Sequence, residues 1–258
     1  MSDISVIIAV KNRKRNLDYC LRSISLNTHI PNVLIVDFGS DTEITYPEYS
    51  FCKTIRITEG TSFFHKAKAY NIGISGVTTN YICLTDADQI FQNNFYSVIN
   101  KHLKYCAKGV LKCKTYKVKQ HPNFSYKELN VNSYSKLLDT AKKQSRLYGD
   151  GCLHVTETDF LRKIGGLDEK FIGWGAEDCE LSWRSYVLKK SKIDITPETS
   201  MIHLPHEKTN TRYYDDNRRL ANREYYFAKI KNKIYTANTS ECEELFISLN
   251  LESKYGKY

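Results

Sequence analysis

The sequence has no pair of cysteines spaced as Cys-x-x-Cys, although it contains eight cysteines among its 258 residues. Zinc ribbons and thioredoxin-like redox sites both need such closely spaced pairs, so neither class is indicated. Scattered cysteines are most simply interpreted as reduced thiols of a cytoplasmic protein. Their even number leaves disulfides open.

Long apolar runs are absent as well. No stretch approaches the roughly 20 apolar residues that a membrane-spanning helix needs. No signal peptide precedes the first predicted strand, because Met1 to Asp3 lead directly into it. We therefore expect a cytoplasmic protein without a membrane span. Internal repeats and low-complexity linkers are also missing, and the length suits one composite domain.

Positive charge is present in excess. Lys and Arg number 38 against 29 Asp and Glu, which gives a formal net charge of +9. A basic protein favours anionic partners, among them sugar nucleotides, nucleic acid and acidic membrane surfaces. Charge alone does not choose among these partners.

The first half of the chain alternates short apolar runs with helical patterns, which is typical of β-α-β units. The predicted strands cover 4–10, 33–37, 53–57 and 80–85, and the predicted helices cover 16–24, 65–74 and 94–106. Asp37 ends the second strand, at the sheet edge where open α/β folds bind ligands. The predicted fold class is therefore α/β, with a mostly parallel central sheet flanked by helices in a single composite domain.

The second half is less regular. Lysines alternate with other residues from Lys112 to Lys119, which predicts an edge strand with a solvated cationic face. Thr156 is expected to begin a helix that ends at Gly165 and Gly166. The remaining predicted elements are a helix over 177–188, short strands at 193–195 and 200–203, and a helical tail from Asn217.

A first acidic cluster indicates a functional site. Residues 173 to 180 read Gly-Trp-Gly-Ala-Glu-Asp-Cys-Glu and place three carboxylates within four positions. An ordinary helix start explains one acidic residue, because exposed amides and the helix dipole favour negative charge there. It does not explain the Gly-Trp-Gly immediately upstream, so we interpret the segment as part of a site.

A second acidic cluster, Asp86 and Asp88, follows a short apolar run at the tip of a predicted buried strand. Mg²⁺ and Mn²⁺ usually share one or two such carboxylates with substrate phosphates, so a diphosphate-bearing substrate is indicated. A calcium loop would need glycine and glutamate at its sixth and twelfth positions, where the sequence has Phe91 and Val98.

Taken in order along the chain, these segments resemble glycosyltransferases of the GT-A (Rossmann-like) fold. A family-2-like N-terminal half is joined to the C-terminal segment of β-1,4-galactosyltransferases and polypeptide N-acetylgalactosaminyltransferases, over residues 3 to 210. The resemblance implies a nucleotide-sugar-binding half at 1–107, an acceptor-binding and metal-completing half at 108–210, and a helical tail at 211–258. It also implies a UDP-sugar donor and a hydroxyl acceptor, expected to be a glycan.

The resemblance implies which residues bind the donor. Residues 10–17 are similar to the galactosyltransferase loop that touches the nucleotide, and residues 63–73 to a segment in which an aromatic packs on uracil and a basic residue contacts phosphate. Phe64 would stack on the base, and Asp37 would bond the uracil or ribose. Arg13 and Lys66 would share the diphosphate charge. The full implied set is Lys11, Arg13, Asp37, Phe64, Lys66 and Asp86.

The resemblance also implies a metal site. In the family an Asp-x-Asp motif binds the ion, and here Asp88 is the expected direct ligand of Mn²⁺ (or Mg²⁺). A histidine beyond the last helix of the motif completes the family site. His203 is preferred for this role, and His206 is its rival.

Residues 173–178 resemble the most specific signature of the family. By this resemblance Asp178 would be the general base of an inverting transfer, and Glu177 would bind acceptor or donor hydroxyls. Trp174 and Gly175 complete the implied acceptor-binding set.

Two departures from the family pattern stand out. Cys179 occupies a position where galactosyltransferases continue their acidic run, and the membrane anchor and stem of the Golgi enzymes are missing. With the lack of a lectin domain, this suggests a bacterial or viral protein.

Two other functions stay open. The basic stretch 112–119 and the cluster Arg212, Arg218, Arg219 and Arg223 favour nucleic acid as partner, in a glycosyltransferase that acts on modified bases of DNA. The other alternative is a catalytically inactive nucleotide-sugar- or glycan-binding module. The presence of both carboxylate clusters argues against it.

Overall fold

A computed structural model of the chain describes residues 3–59, 63–143, 153–173, 175–189, 191–206 and 216–255. Its central sheet has seven strands. In spatial order they are β10 (Lys192–Asp194), β6 (Val110–Lys112), β9 (Leu153–Glu157), β4 (Tyr81–Asp86), β1 (Ile4–Val10), β2 (Asn32–Asp37) and β3 (Cys52–Arg56). Neighbouring strands are parallel, except that β9 runs antiparallel to both β4 and β6.

A smaller sheet continues from the end of β4. Its order is β5 (Gln89–Phe91), β11 (Met201–His203), β7 (Thr115–Lys117) and β8 (Lys142–Lys143). In the antiparallel pair of β5 and β11, His203 lies opposite Gln89. This pairing brings the end of β11 beside the residues that follow β4, although they lie more than a hundred positions apart in the chain.

Helices cover both faces of the central sheet. They are α1 (Lys14–Ser25), α2 (Lys66–Gly76), α3 (Phe95–His102), α4 (Val131–Thr140), α5 (Thr158–Lys163), α6 (Glu177–Lys189), α7 (Asp216–Asn232), α8 (Ser240–Ser248) and α9 (Leu251–Tyr255). One buried apolar cluster joins α1 and α3 to the sheet, and a second joins α2, α5 and α6 to its other face. The predicted α/β class, with a mostly parallel central sheet flanked by helices, is therefore confirmed.

Helix α2 lies unusually close to strand β1. A Cβ atom added at Gly73 would stand 2.5 Å from Cγ2 of Ile7 and 3.3 Å from Cγ2 of Val36. Only glycine lets the helix approach the sheet at this distance. This packing holds α2, whose first residue is Lys66, against the sheet.

Two sequence predictions about the second half were wrong. The stretch from Lys112 to Lys119 is not one solvated edge strand, because β6 lies inside the central sheet and the Lys112 side chain is only 3% exposed. The helix predicted from Thr156 is present as α5, but its start was placed two residues too early, because Thr156 belongs to β9, where it is fully buried. Strand β9 escaped prediction because the polar residues His154 and Thr156 interrupt its apolar pattern, yet both are buried.

The C-terminal helices pack on the body of the domain. Phe171, Ala221, Tyr225 and Leu251 form a buried cluster that joins α7 and α9 to the segment before α6. Among the described residues, no helix combines the length and the apolar character needed to cross a bilayer.

Candidate active site

Strand ends bring the first group of candidate residues together. Strands β1, β2 and β4 are parallel, and their registers pair Val10 with Asp37 and Ala9 with Asp86. Lys11 and Asp88 follow directly beyond these ends. The carboxyl edge of the sheet therefore carries Lys11, Asp37, Asp86 and Asp88, four of the residues assigned to donor and metal binding, as expected for an open α/β fold.

Asp37 is fully buried and organises the loop that follows β2. One carboxylate oxygen accepts a hydrogen bond from the backbone amide of Ser40 at 2.9 Å, and the other accepts one from Arg56 at 2.9 Å. Lys11 donates to the carbonyl oxygens of Phe38 and Gly39, at 3.2 and 2.6 Å. Lys11 and Asp37 thus shape one loop at the sheet edge, and Arg56, which the sequence analysis missed, supports it.

Phe64 lies half-buried beside this loop. Its ring packs edge-on against Phe38, with the centroids 6.2 Å apart. The neighbouring Phe63 stacks on His65 at 6.1 Å, and the guanidinium of Arg218 lies over the Phe63 ring at 5.4 Å. Aromatic surface is therefore present next to the strand ends, where a nucleotide base would need it.

Asp88, His203 and His206 converge on one point. Their ligand atoms all lie within 4.8 Å of one another. Asp88 is buried, with Oδ1 3.5 Å from Nε2 of His203 and Oδ2 3.6 Å from Nε2 of His206. The two histidines are partly exposed, so the cluster is open on one side.

Arg13 is part of the same cluster. Its guanidinium donates to Oδ2 of Asp88 at 2.8 Å and lies 3.3 Å from Nδ1 of His206. Burial by itself would raise the pKa of the Asp88 carboxyl, but the charges of His203, Arg13 and His206 outweigh it and lower that pKa. Asp88 is therefore ionised at neutral pH and able to act as a ligand.

The donor set fits a divalent transition ion. One carboxylate and two imidazoles combine oxygen with nitrogen ligands, which suits Mn²⁺ better than the all-oxygen preference of Mg²⁺. The partly exposed side of the cluster leaves room for ligands from a substrate. Both histidines that the sequence analysis named as alternatives are placed to contribute.

Lys66 joins the two acidic clusters. Its ammonium lies 2.9 Å from Asp86, 2.8 Å from Asp178 and 3.6 Å from Glu177. Burial alone would lower the pKa of Lys66, but Asp178 and Asp86 raise it well above its usual value. A permanent positive charge thus stands between three carboxylates that come from two distant parts of the sequence.

Glu177 begins helix α6 and is 5% exposed. It accepts a hydrogen bond from the backbone amide of Gly175 at 3.0 Å. Burial, together with the neighbouring charge of Asp178, raises the pKa of Glu177 to about 8, against the opposing effect of Lys66. Glu177 is therefore mostly protonated at neutral pH.

Replacing Glu177 by glutamine is expected to flatten the pH dependence of stability. The native protein holds a proton that the unfolded chain releases between the usual value of 4.5 and a pH of about 8. The resulting stabilisation is complete below the lower value and is lost as the pH rises through the upper one. Thermal unfolding at several pH values should show a steeper loss toward alkaline pH in the wild type than in Glu177→Gln. The exposed Glu244→Gln serves as control, and parallel curves for wild type and Glu177→Gln would contradict the assignment.

The backbone before α6 explains why the sequence needs small residues there. Gly173, Gly175 and Ala176 all have positive φ angles, of 74°, 110° and 73°. Glycine adopts this region without strain, whereas most residues do not. Trp174, which the resemblance assigns to acceptor binding, lies outside the described residues.

A small cavity lies behind Asp178. Its volume is about 10 Å³ and its lining includes Tyr70, Lys112 and His154, so it has the size of a single water molecule. The ammonium of Lys112 donates to Ser182 at 2.9 Å. Sequence reasoning missed this lysine because an alternating pattern placed it on a solvated face.

Two protein families match the chain. The model of glycosyl transferase family 2 matches residues 5–165, and a model described as the N-terminal domain of galactosyltransferase matches residues 132–207. Validoxylamine A glucosyltransferase of Streptomyces hygroscopicus subsp. jinggangensis (strain 5008) is 42% identical over 52 residues. The matched segment spans 20% of this chain and only 12% of that relative.

Solved structures resemble nearly the whole chain. S. aureus TarS superposes with a TM-score of 0.60 at 16% identity, over 98% of this chain and 44% of TarS. The 1–349 fragment of TarS in complex with UDP-GlcNAc superposes with a TM-score of 0.61 at 16% identity, over 98% of this chain and 73% of the fragment. GalNAc-T7 with UDP, GalNAc and Mn²⁺ superposes with a TM-score of 0.60 at 14% identity, over 98% of this chain and 58% of GalNAc-T7.

These structures are GT-A glycosyltransferases, and at such low identity the likeness establishes the fold. The family match is broader evidence, because residues 5–165 are well over half of the chain. It includes the donor loops, Lys66 and the Asp86–Asp88 cluster. The chain therefore belongs to glycosyltransferase family 2.

Proposed function

We propose that this protein transfers a sugar from a UDP-sugar to a hydroxyl group of a saccharide acceptor, with inversion and with the help of a divalent ion. The observation that carries the proposal is the position of Lys66 between Asp86 and the Glu177–Asp178 pair. Asp88, two residues beyond Asp86, lies in turn against His203 and His206. The residues proposed for donor binding, metal binding and proton removal therefore occupy one continuous region.

Asp178 is the proposed general base. Its carboxylate is 19% exposed, so an acceptor hydroxyl has access to it. The base takes the hydroxyl proton while the oxygen forms a bond to the anomeric carbon and the bond from that carbon to the diphosphate breaks. A single base on the side opposite the leaving group produces inversion.

Asp88, His203 and His206 are the proposed ligands of Mn²⁺ (or Mg²⁺). When bound, such an ion neutralises charge that develops on the leaving diphosphate. Lys11, Arg13 and Lys66 would supply further positive charge on the donor side. The bound UDP-GlcNAc of TarS and the UDP and Mn²⁺ of GalNAc-T7 support a UDP-sugar donor and this ion.

Metal-dependent release of UDP is the direct test. We expect the protein to liberate UDP from at least one UDP-sugar, with UDP-GlcNAc, UDP-GalNAc, UDP-galactose and UDP-glucose as probes, when Mn²⁺ is present. Treatment with a chelator should abolish the release, and Mn²⁺ should restore it.

The metal ligands can be tested with matched variants. Asp88→Asn and His203→Ala should weaken Mn²⁺ binding, measured by calorimetry in the absence of donor, by about 10-fold or more. His102→Ala removes a histidine that pairs with Glu198 outside the cluster, so it should bind Mn²⁺ as the wild type does. Full activity after chelation would refute the proposed metal dependence. No UDP release with any donor would favour an inactive binding module.

The acceptor is proposed to be a saccharide rather than DNA. Lys112 is buried and therefore removed from the basic surface that favoured nucleic acid, whereas Lys117 and Lys119 are exposed. Arg212 lies outside the described residues. Transfer to a neutral glycan should depend little on ionic strength, and a steep loss of acceptor binding with rising salt would point to nucleic acid instead.

A further inference from the structure

One face of helix α7 runs along the segment that leads into helix α6. Near its end, Lys229 donates to Asp168 at 2.5 Å. One turn earlier, the Tyr225 hydroxyl donates to the same carboxylate at 2.9 Å, and the Tyr225 ring packs on Phe171 with the centroids 5.1 Å apart. Helix and segment are therefore in contact in antiparallel order.

The contacts continue up to the glycine-rich turn. Asn222 donates from its side-chain amide to the carbonyl of Ile172 at 3.0 Å. A further turn back, Cγ of Arg219 would lie 3.3 Å from a Cβ atom placed on Gly175. Residues about one turn apart on α7 thus contact positions progressively closer to α6. A side chain on Gly175 would press against Arg219.

Asn222 occupies the critical position in this series. Its side chain is 2% exposed, so the hydrogen bond to Ile172 has little competition from water. Ile172 directly precedes Gly173, where the run of positive φ angles begins. Glycine-rich backbone has many accessible conformations, and a buried tether at its start selects among them.

We propose that α7 positions the turn formed by residues 172, 173, 175 and 176, which we name the acceptor turn, and that Asn222 is the residue that holds it. By holding the turn, Asn222 orients Glu177 and Asp178 at the start of α6. Asn222 is a positioning residue, because its contact is with the backbone of the turn. The part of the proposal that concerns the acceptor rests on the proposed function, whereas the part that concerns the turn does not.

A fluorescence experiment tests the turn without any substrate. The chain has two tryptophans, so in a Trp183→Phe background all tryptophan emission comes from Trp174, which lies between Gly173 and Gly175 in the sequence. We expect Asn222→Asp to change the emission maximum of Trp174 and its quenching by acrylamide, because a carboxylate would face the Ile172 carbonyl. Asn232→Asp is the matched control, since it makes the same exchange on the same helix where Asn232 is exposed and bonds only within α7. This control should leave both signals unchanged.

Kinetics test the consequence for the acceptor, with 4-nitrophenyl glycosides as acceptor probes. Asn222→Asp should raise the acceptor KM or lower the transfer kcat by about 10-fold, while calorimetric binding of UDP stays at the wild-type value. Asn222→Ser replaces the test variant if the buried carboxylate prevents folding. Unchanged Trp174 emission and unchanged acceptor kinetics in a folded Asn222 variant would overturn the proposal. Absence of transfer by the wild type would instead refute the proposed function and leave the fluorescence result to decide the role of Asn222.

Discussion

Asp178→Asn is expected to lower the rate of sugar transfer by about 10²- to 10⁴-fold, the usual contribution of a general base. Asparagine keeps the size of the side chain but does not accept the acceptor proton at neutral pH. Glu177 does not replace it, because burial raises the pKa of Glu177 to about 8 and keeps it mostly protonated. The measurement is UDP release coupled to product formation, with the donor that the wild type uses.

Binding of UDP separates the loss of the base from a loss of structure. Asp178 is proposed to act on the acceptor hydroxyl and is not among the proposed ligands of the nucleotide or the ion, so calorimetric affinity for UDP with Mn²⁺ should change little in Asp178→Asn. Asp159→Asn is the matched control, since Asp159 has a side chain that is 97% exposed, and it should transfer at the wild-type rate. Undiminished transfer by Asp178→Asn would remove Asp178 from the mechanism.

The second large effect is expected on stability and comes from a buried ionic network below the site. Arg184 holds Glu180 with two hydrogen bonds of 2.6 and 2.8 Å, and Lys229 lies 2.6 Å from Glu180 and 2.5 Å from Asp168. All four side chains are excluded from solvent. The two negative and two positive charges of this network therefore compensate each other in the core, where an uncompensated charge is costly.

Lys229→Met should lower the free energy of unfolding by about 3–5 kcal/mol, because it leaves two buried carboxylates with one cation. Burial lowers the pKa of Lys229, but Glu180 and Asp168 more than compensate and raise it, so the wild-type side chain is charged. Urea unfolding followed by circular dichroism measures the change. Lys231→Met removes an exposed lysine of the same helix and should stay within about 0.5 kcal/mol of the wild type. An equal urea midpoint for Lys229→Met and wild type would contradict the assigned role of the network.

Regular periodicity made much of the first half predictable. Strand β1 has the predicted bounds, and α1 contains the predicted helix 16–24 and buries its apolar residues Leu17, Cys20, Leu21 and Ile24. The carboxylates at strand ends were also predictable, because parallel strands end at one edge. What the residues alone could not supply was the pairing of β5 with β11, which brings His203 to Asp88 through contacts between distant segments.

Buried polar residues account for most of what was missed. Lys112, His154 and Asn222 all have polar side chains, yet all three are at most 4% exposed. Each is buried next to a partner that the sequence does not identify, such as the Ile172 carbonyl for Asn222. The contacts of the C-terminal helix α7 with the segment before α6 could therefore not be predicted from the sequence.

The antiparallel strand β9 has a consequence for how the chain is made. It pairs with β4 from Leu153 to Glu157, and it is also the neighbour of β6. During synthesis, the edge of β4 that β9 covers has no partner until Glu157 has left the ribosome. A nascent chain that stalls earlier presents that bare edge to other chains, which is a known route to aggregation. The parallel part of the central sheet from β3 to β4 is thus bordered by a strand that is translated after β5, β6, β7 and β8.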